Sequence, residues 1–172
     1  FGLSQLAIQI IALEHDIIPE RYQRNIGTIG LQGQIKLLQS TVAVIGAGGL
    51  GGIIIELLAR MGVGKIIVVD GDVFSENNLN RQVFSAESVL GLPKAEVTQE
   101  KIKDINSAVN IIAVCEYLDS HNALSLLKDA AVIVDALDNL QARFVIADAA
   151  NKLNIPLVHG AIGGFCGHVT TI

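Results

Sequence analysis

Thr41-Val42-Ala43-Val44-Ile45-Gly46-Ala47-Gly48-Gly49-Leu50-Gly51 decides the fold. The apolar run TVAVI, residues 41–45, predicts a buried strand. Gly46, Gly48 and Gly51 fit G-x-G-x-x-G immediately behind it. The apolar stretch from Gly49 to Met61 then predicts a helix. A glycine pattern that follows a strand and opens a helix is far more specific than the pattern alone. One glycine allows the tight turn, one lets backbone approach a phosphate, and one lets helix and strand pack closely. The helix start adds free N–H groups and partial positive charge. A second buried strand, Lys65 to Val69, ends at Asp70. That is the spacing at which an acid reaches ribose hydroxyls.

Downstream the alternation continues. A polar segment runs from Asp70 to Gln82, and Pro93 opens a helix to about Ile105. Strands are predicted at Val109 to Cys115, Ala131 to Ala136, Pro156 to Ala161 and Gly167 to Ile172. Helices are predicted at His121 to Leu127 and Asn139 to Leu153. Apolar strands alternating with helices give an α/β, Rossmann-like, doubly wound and mainly parallel sheet with helices on both faces. Upstream, Leu3, Leu6, Ile10 and Leu13 within Phe1 to Leu13 fall near helical spacing. Short helical pieces follow at Arg21 to Asn25 and Leu31 to Leu38. The organisation expected is a helical lead over residues 1–40 and a nucleotide-binding domain over 41–172. The chain opens on Phe and stops within a predicted strand, so both ends are expected to belong to something longer.

Composition narrows the function. The net charge of −5 argues against non-specific nucleic-acid binding, which needs a basic surface. The longest uncharged apolar stretch here, Val42 to Ile55, is shorter than the ~20 residues a spanning helix requires. Cys115 and Cys166 form no CxxC pair. Their scarcity points to a reducing, cytoplasmic setting with no structural zinc in these residues.

The polar segment speaks against a simple dehydrogenase. It carries Asn77, Asn78, Asn80, Arg81 and Gln82, with Lys94 opening the next helix. Arg81 and Lys94 suit the oxygens of a triphosphate, Arg by its fork and Lys as a point charge. Read singly, each is as well explained as a surface cation. In a doubly wound sheet the fourth strand lies beside the first, so Asp135-Ala136-Leu137-Asp138-Asn139 faces the glycine turn. Asp138 is placed to hold Mg²⁺ on a polyphosphate, and Asn139 to cap its helix, to line the site, or both. Asp135, inside the strand, reads as structural.

Together these residues carry a resemblance. The matching pieces are Arg21-Tyr22-Gln23-Arg24, the Gly46 to Gly51 turn, Asp70-Gly71-Asp72, Asn78-Leu79-Asn80-Arg81-Gln82, Gly91-Leu92-Pro93-Lys94 and Leu137-Asp138-Asn139. From about residue 21 onward the chain resembles the ThiF/MoeB/HesA adenylating enzymes, relatives of the ubiquitin-activating enzymes. The resemblance implies an ATP- and Mg²⁺-dependent adenylyltransferase. Such an enzyme activates the C-terminal glycine of a small ubiquitin-like sulfur-carrier protein. It implies that Gly49 and Asp70 contact ATP backbone and ribose, that Asp72 is among the ATP-binding residues, and that Arg81 and Lys94 bind phosphates. Asp138 would hold the metal, while Asn78 and Gln82 line the site. Arg24 would reach a neighbouring subunit's ATP, implying a homodimer. Many members carry two CxxC zinc pairs and sometimes a transfer cysteine further along, so zinc is expected only in a part beyond residue 172.

Two other readings stand beside it. An NAD-dependent oxidoreductase explains the glycine turn and Asp70 but leaves Arg81, Lys94 and Asp138 without a task. A non-catalytic nucleotide-binding relative is the third. Elsewhere the readings are plain: Cys166 is expected to be a small buried residue, and His159 a core or crevice-lining side chain. His15, His121 and His168 lack metal-ligand spacing.

Overall fold

The computed structural model describes residues 2–172. Its centre is a six-stranded sheet formed by β1 (Thr41–Ile45), β2 (Lys65–Val69), β3 (Asn110–Val114), β4 (Val132–Asp135), β5 (Leu157–Gly163) and β6 (Cys166–Thr171). The strand order is β3-β2-β1-β4-β5-β6. All pairs are parallel except β5 with β6, an antiparallel hairpin. The order reverses between β1 and β4, and ligands bind at the carboxyl ends of strands at such a switch point.

Strand β1 is apolar on both faces because both faces are covered. Val42 and Val44 join one core with Ile55, Ala59, Ile66, Val68, Val97 and Ile102. Ala43 and Ile45 join the other with Leu127, Ile133, Ile146, Ala149 and Leu157. Helices α3 (Gly49–Met61) and α4 (Lys94–Ile105) cover the first face. Helices α5 (Ala123–Leu127) and α6 (Leu140–Leu153) cover the second.

The predicted elements appear with shifts of a residue or two at their ends. The larger difference lies in the lead. Helix α1 spans Gln5–Glu14, capped by Ser4, and Phe1 of the predicted helix lies outside the described residues. A 3-10 turn, Glu20–Tyr22, leads into α2 (Gln23–Gln39), which is broken at Gly30. The break explains why the sequence reads as two short helical pieces.

The lead forms its own small core from Leu13, Tyr22, Ile35 and Leu38. Tyr22 also enters a buried polar network. Its hydroxyl donates to Gln9 and accepts from Asn106 Nδ2, which in turn reaches the carbonyl of Ala59 on α3. Arg21 donates to Asn106 Oδ1, while Gln34 and Asn25 both donate to the carbonyl of Met61. The lead is thereby fastened to the C-terminal end of α3. None of the described helices is long and apolar enough to cross a membrane.

Candidate functional site

The turn after β1 closes tightly on its surroundings. Gly46 has φ +97°, and a Cβ there would sit 2.8 Å from the carbonyl oxygen of Ala136. A Cβ at Gly51 would sit 1.8 Å from the Gly46 carbonyl oxygen, so no side chain is accommodated there. Gly48 precedes α3 without a side-chain cap. The first N–H groups of α3 therefore have no side-chain cap, which leaves them as donors that an anion can meet.

Asp70 ties the end of β2 to this turn. One carboxylate oxygen accepts the N–H of Ala47 at 2.7 Å, the other the N–H of Asp72 at 2.8 Å. Burial pushes the carboxyl above its ordinary range, against these two N–H donors and the nearby Lys94 ammonium. Each oxygen keeps a further lone pair for a ligand hydroxyl.

The polar segment folds back over the turn. Asn78 is buried and completes a capping box with Ser75, accepting the Ser75 N–H at 3.0 Å. It shapes the loop from within rather than presenting its amide to the turn. Arg81 and Gln82 do face the turn. A Cβ at Gly49 would meet the Arg81 side chain at 3.7 Å, and one at Gly48 would meet Gln82 Nε2 at 3.6 Å. The exposed Arg81 guanidinium donates to the Asn77 carbonyl at 2.7 Å, which sets its direction. Gln82 is buried, and its Oε1 has no hydrogen-bond partner. An orphaned buried acceptor costs about 1–3 kcal/mol. That leaves an acceptor unmet beside the turn.

Lys94 is buried, and its ammonium pairs with Asp72 at 2.9 Å. The other Asp72 oxygen accepts the Tyr117 hydroxyl at 2.7 Å. These bonds, Lys94 first, hold the Asp72 carboxyl below the usual range.

Across the switch point, the end of β4 meets the turn through Ala136. Asp135 is 2% exposed. It accepts from His159 Nδ1 at 2.6 Å and lies 3.6 Å from Arg143 Nε. Arg143 also donates to the carbonyl of Leu137. Asp135 is thus a buried, paired group that stiffens the loop. Asp138 and Asn139 are exposed beyond it. Asn139 caps α6, accepting the Gln141 N–H at 2.8 Å. Asp138 enters none of the ion pairs of the described residues. No group of three His, Cys, Asp or Glu with metal-holding geometry occurs among the described residues. A single carboxylate outside any ion pair, beside the glycine turn, fits Mg²⁺, which takes one or two carboxylates and completes its shell with phosphate oxygens and water.

Arg24 is not part of this gathering. It is exposed, and its neighbour Asn25 is bonded to Met61, at the far end of α3. The turn lies at the Gly49 end, about 18 Å away at 1.5 Å per residue. An arginine side chain does not bridge that distance within one chain.

Two features escape the sequence. Tyr117 is a lone tyrosine after a strand, with no motif to mark it. The Arg143–Asp135–His159 cluster had one available signal, since an acid in an apolar strand requires partners. Cys166 corrects an expectation: it is exposed, because the β5–β6 hairpin projects beyond the helices that cover the rest of the sheet.

Residues 22–172 match the model of the ThiF family. The chain is 41% identical over 155 residues to a SAMP-activating enzyme E1 of Haloferax volcanii, covering 89% of this chain and 57% of that one. It is 40% identical over 152 residues to a sulfur carrier protein adenylyltransferase of Thermus thermophilus, covering 87% of this chain and 56% of that one. It thus spans little more than half the length of these relatives. Among solved structures, TcdA (CsdL) superposes with a TM-score of 0.82 at 28% identity, covering 86% of this chain and 61% of that one. Escherichia coli tRNA N6-threonylcarbamoyladenosine dehydratase, TcdA, in complex with ATP superposes with a TM-score of 0.81 at the same 28% identity, covering 86% of this chain and 61% of that one. On its glycine turn, its sheet order and these matches, the chain belongs to the ThiF family.

Proposed function

We propose that this chain is the nucleotide-binding part of an ATP-dependent adenylyltransferase of ThiF/MoeB type. Its acceptor is the C-terminal glycine carboxylate of a small ubiquitin-like sulfur-carrier protein. One observation carries the reading: a glycine turn bonded to Asp70 has Arg81 and Gln82 against it and the start of the Asp138 loop beside Gly46, and the Lys94–Asp72 pair lies two residues on from Asp70. An NAD-dependent oxidoreductase accounts for the glycine turn and Asp70 but leaves Arg81, Lys94 and Asp138 together without a task. Charge neutralisation on a triphosphate gives them one. The relatives named for SAMP and sulfur-carrier activation support the carrier as acceptor. The structural neighbour named as a tRNA dehydratase shares ATP binding by its title, at lower identity. A net charge of −5 also favours a protein acceptor over RNA.

The chemistry asks little of the enzyme's own acids and bases. A terminal carboxylate has a pKa of about 3.3–3.7 and is ionised at neutral pH. Its oxygen attacks the α-phosphorus, the bond to the bridging oxygen of the β-phosphate breaks, and pyrophosphate leaves with those electrons. No proton moves and no covalent enzyme intermediate is required. The residues align the reactants and meet the charge. Asp70 receives the ribose, the α3 N–H groups and Arg81 face the phosphates, and Lys94 exchanges Asp72 for a phosphate oxygen. Mg²⁺ held by Asp138 neutralises polyphosphate charge when bound.

Arg24 enters from a second copy in this reading. Ile53, Leu57 and Met61 recur every four residues on α3 and remain exposed, with Val83 also exposed. Two α3 helices packed antiparallel across a two-fold axis would bury this stripe and bring the Met61 end of one to the Gly49 end of the other. Arg24 would then stand beside the partner's turn.

ATP–pyrophosphate exchange with a panel of ubiquitin-like carriers ending in glycine tests the reading. Exchange with one carrier is expected, and its loss in Lys94→Ala and Asp138→Ala while circular dichroism stays unchanged. Full exchange in either variant would remove the assigned roles.

A further inference from the structure

We propose that Tyr117 is a positioning residue of the nucleotide site: its hydroxyl fixes the Asp72 carboxylate and, through it, the ammonium of Lys94. The proposal rests on the adenylation reading, in which Lys94 serves the phosphates. Tyr117 follows β3, whose carboxyl end lies beside that of β2. The residue is 70% exposed, yet its carbonyl, its ring and its hydroxyl are each held. Its carbonyl accepts from Asn122 Nδ2 at 3.0 Å, and its hydroxyl donates to Asp72 Oδ1 at 2.7 Å. Its ring lies against Gly71, where a Cβ would stand 2.8–2.9 Å from three ring atoms. Burial does not account for this placement, because the ring contributes little to either core. The hydroxyl contact does.

A carboxylate with one partner turns readily about its last torsion, where the rotamer wells are broad. Asp72 has a separate donor on each oxygen, Lys94 Nζ at 2.9 Å on one and Tyr117 on the other. Two donors on opposite oxygens hold its plane. Lysine is a point charge on a flexible stem, so its ammonium sits where a fixed partner keeps it. The phenol also draws part of the carboxylate charge, which weakens the grip of Asp72 on Lys94. Lys94 is thereby aimed, yet released when a phosphate oxygen competes. Tyr117 touches neither turn nor phosphate in this scheme and acts only through Asp72.

Calorimetric titration of Mg-ATP into the wild-type chain, Tyr117→Phe, Asp72→Asn and the double variant tests this. Tyr117→Phe keeps the ring on Gly71 and removes only the hydroxyl. It is expected to weaken Mg-ATP about three- to tenfold, the worth of one hydrogen bond. In the Asp72→Asn background the same change is expected to have little further effect, because the two act as one unit. A merely structural tyrosine would not show that dependence. Wild-type affinity in Tyr117→Phe, or an equal loss with and without Asp72, would overturn the proposal. Failure of the wild-type chain to bind Mg-ATP would overturn the adenylation reading instead.

Discussion

The Asp70 carboxylate accepts the Ala47 N–H at 2.7 Å, joining the end of β2 to the second residue of the glycine turn. The bond gives Asp70 two tasks: it sets the turn, and it offers remaining lone pairs to a ligand. Asp70→Ala orphans the N–H groups of Ala47 and Asp72, at a cost of about 1–3 kcal/mol. The melting temperature is expected to fall by roughly 3–10 °C. Mg-ATP affinity should fall at least about tenfold, the value of a lost charged hydrogen bond. Scanning and titration calorimetry check both; an unchanged affinity in a folded variant would leave Asp70 with the structural task alone.

Asp72 gives a pH dependence with a defined sign. Its carboxyl is held below the ordinary 3.8 by Lys94 and Tyr117, so the folded state binds its proton less readily than the unfolded state. The resulting stabilisation is fully present above 3.8 and is lost as pH falls through the lower folded-state value. Asp72→Asn should therefore melt below wild type at neutral pH, with the gap closing below 3.8. A gap that widens on acidification would contradict the assignment.

Arg24 sits at the opposite end of α3 from the turn, so its proposed service is in trans. Arg24→Ala and Lys94→Ala are each expected to be inactive in pyrophosphate exchange. Mixing them equally and allowing subunits to exchange should restore about a quarter of the wild-type activity, one intact site in four. Leu57→Glu, on the exposed α3 stripe, should yield a folded monomer by sedimentation and lose exchange. No recovery on mixing, with a dimer present, would place Arg24 outside the site.

Asp135, buried and paired with His159 and Arg143, holds the loop that presents Asp138. Arg143→Met removes a guanidinium from the buried carboxylate and from the Leu137 carbonyl. Breaking a buried pair costs about 3–5 kcal/mol, and less here because His159 remains. The melting temperature should fall by several degrees. Mg²⁺-dependent ATP affinity should fall with it, as the Asp138 loop loosens. Melting like wild type would show that His159 alone suffices.

Much of the fold is legible because its periodicities are strong. TVAVI and KIIVV are apolar on both faces, and only a covered parallel sheet suits them. The turn is legible because Gly46 and Gly51 each answer a steric demand of their own. The division of labour within the polar segment is not. Asn78 and Gln82 read alike as amides, but one caps a loop and the other faces the turn. That distinction arises from how residues 75–82 fold, which no spacing encodes. Tyr117 is invisible for a related reason: its partner lies 45 residues away and meets it only because β2 and β3 are neighbours. The place of Arg24 is likewise tertiary: its neighbours Arg21 and Asn25 are bonded to Asn106 and to the Met61 carbonyl, contacts that no spacing encodes.

Thermal melting of the wild-type chain with Mg-ATP, set beside the same melt with NAD, tests the central claim most directly. Ligand at a hundred times its dissociation constant adds about 2.7 kcal/mol, or roughly 5–10 °C for a domain of this size. An adenylating site predicts that shift with Mg-ATP, its loss on chelating the metal, and none with NAD. A shift with NAD and none with Mg-ATP would contradict the roles given to Arg81, Lys94 and Asp138.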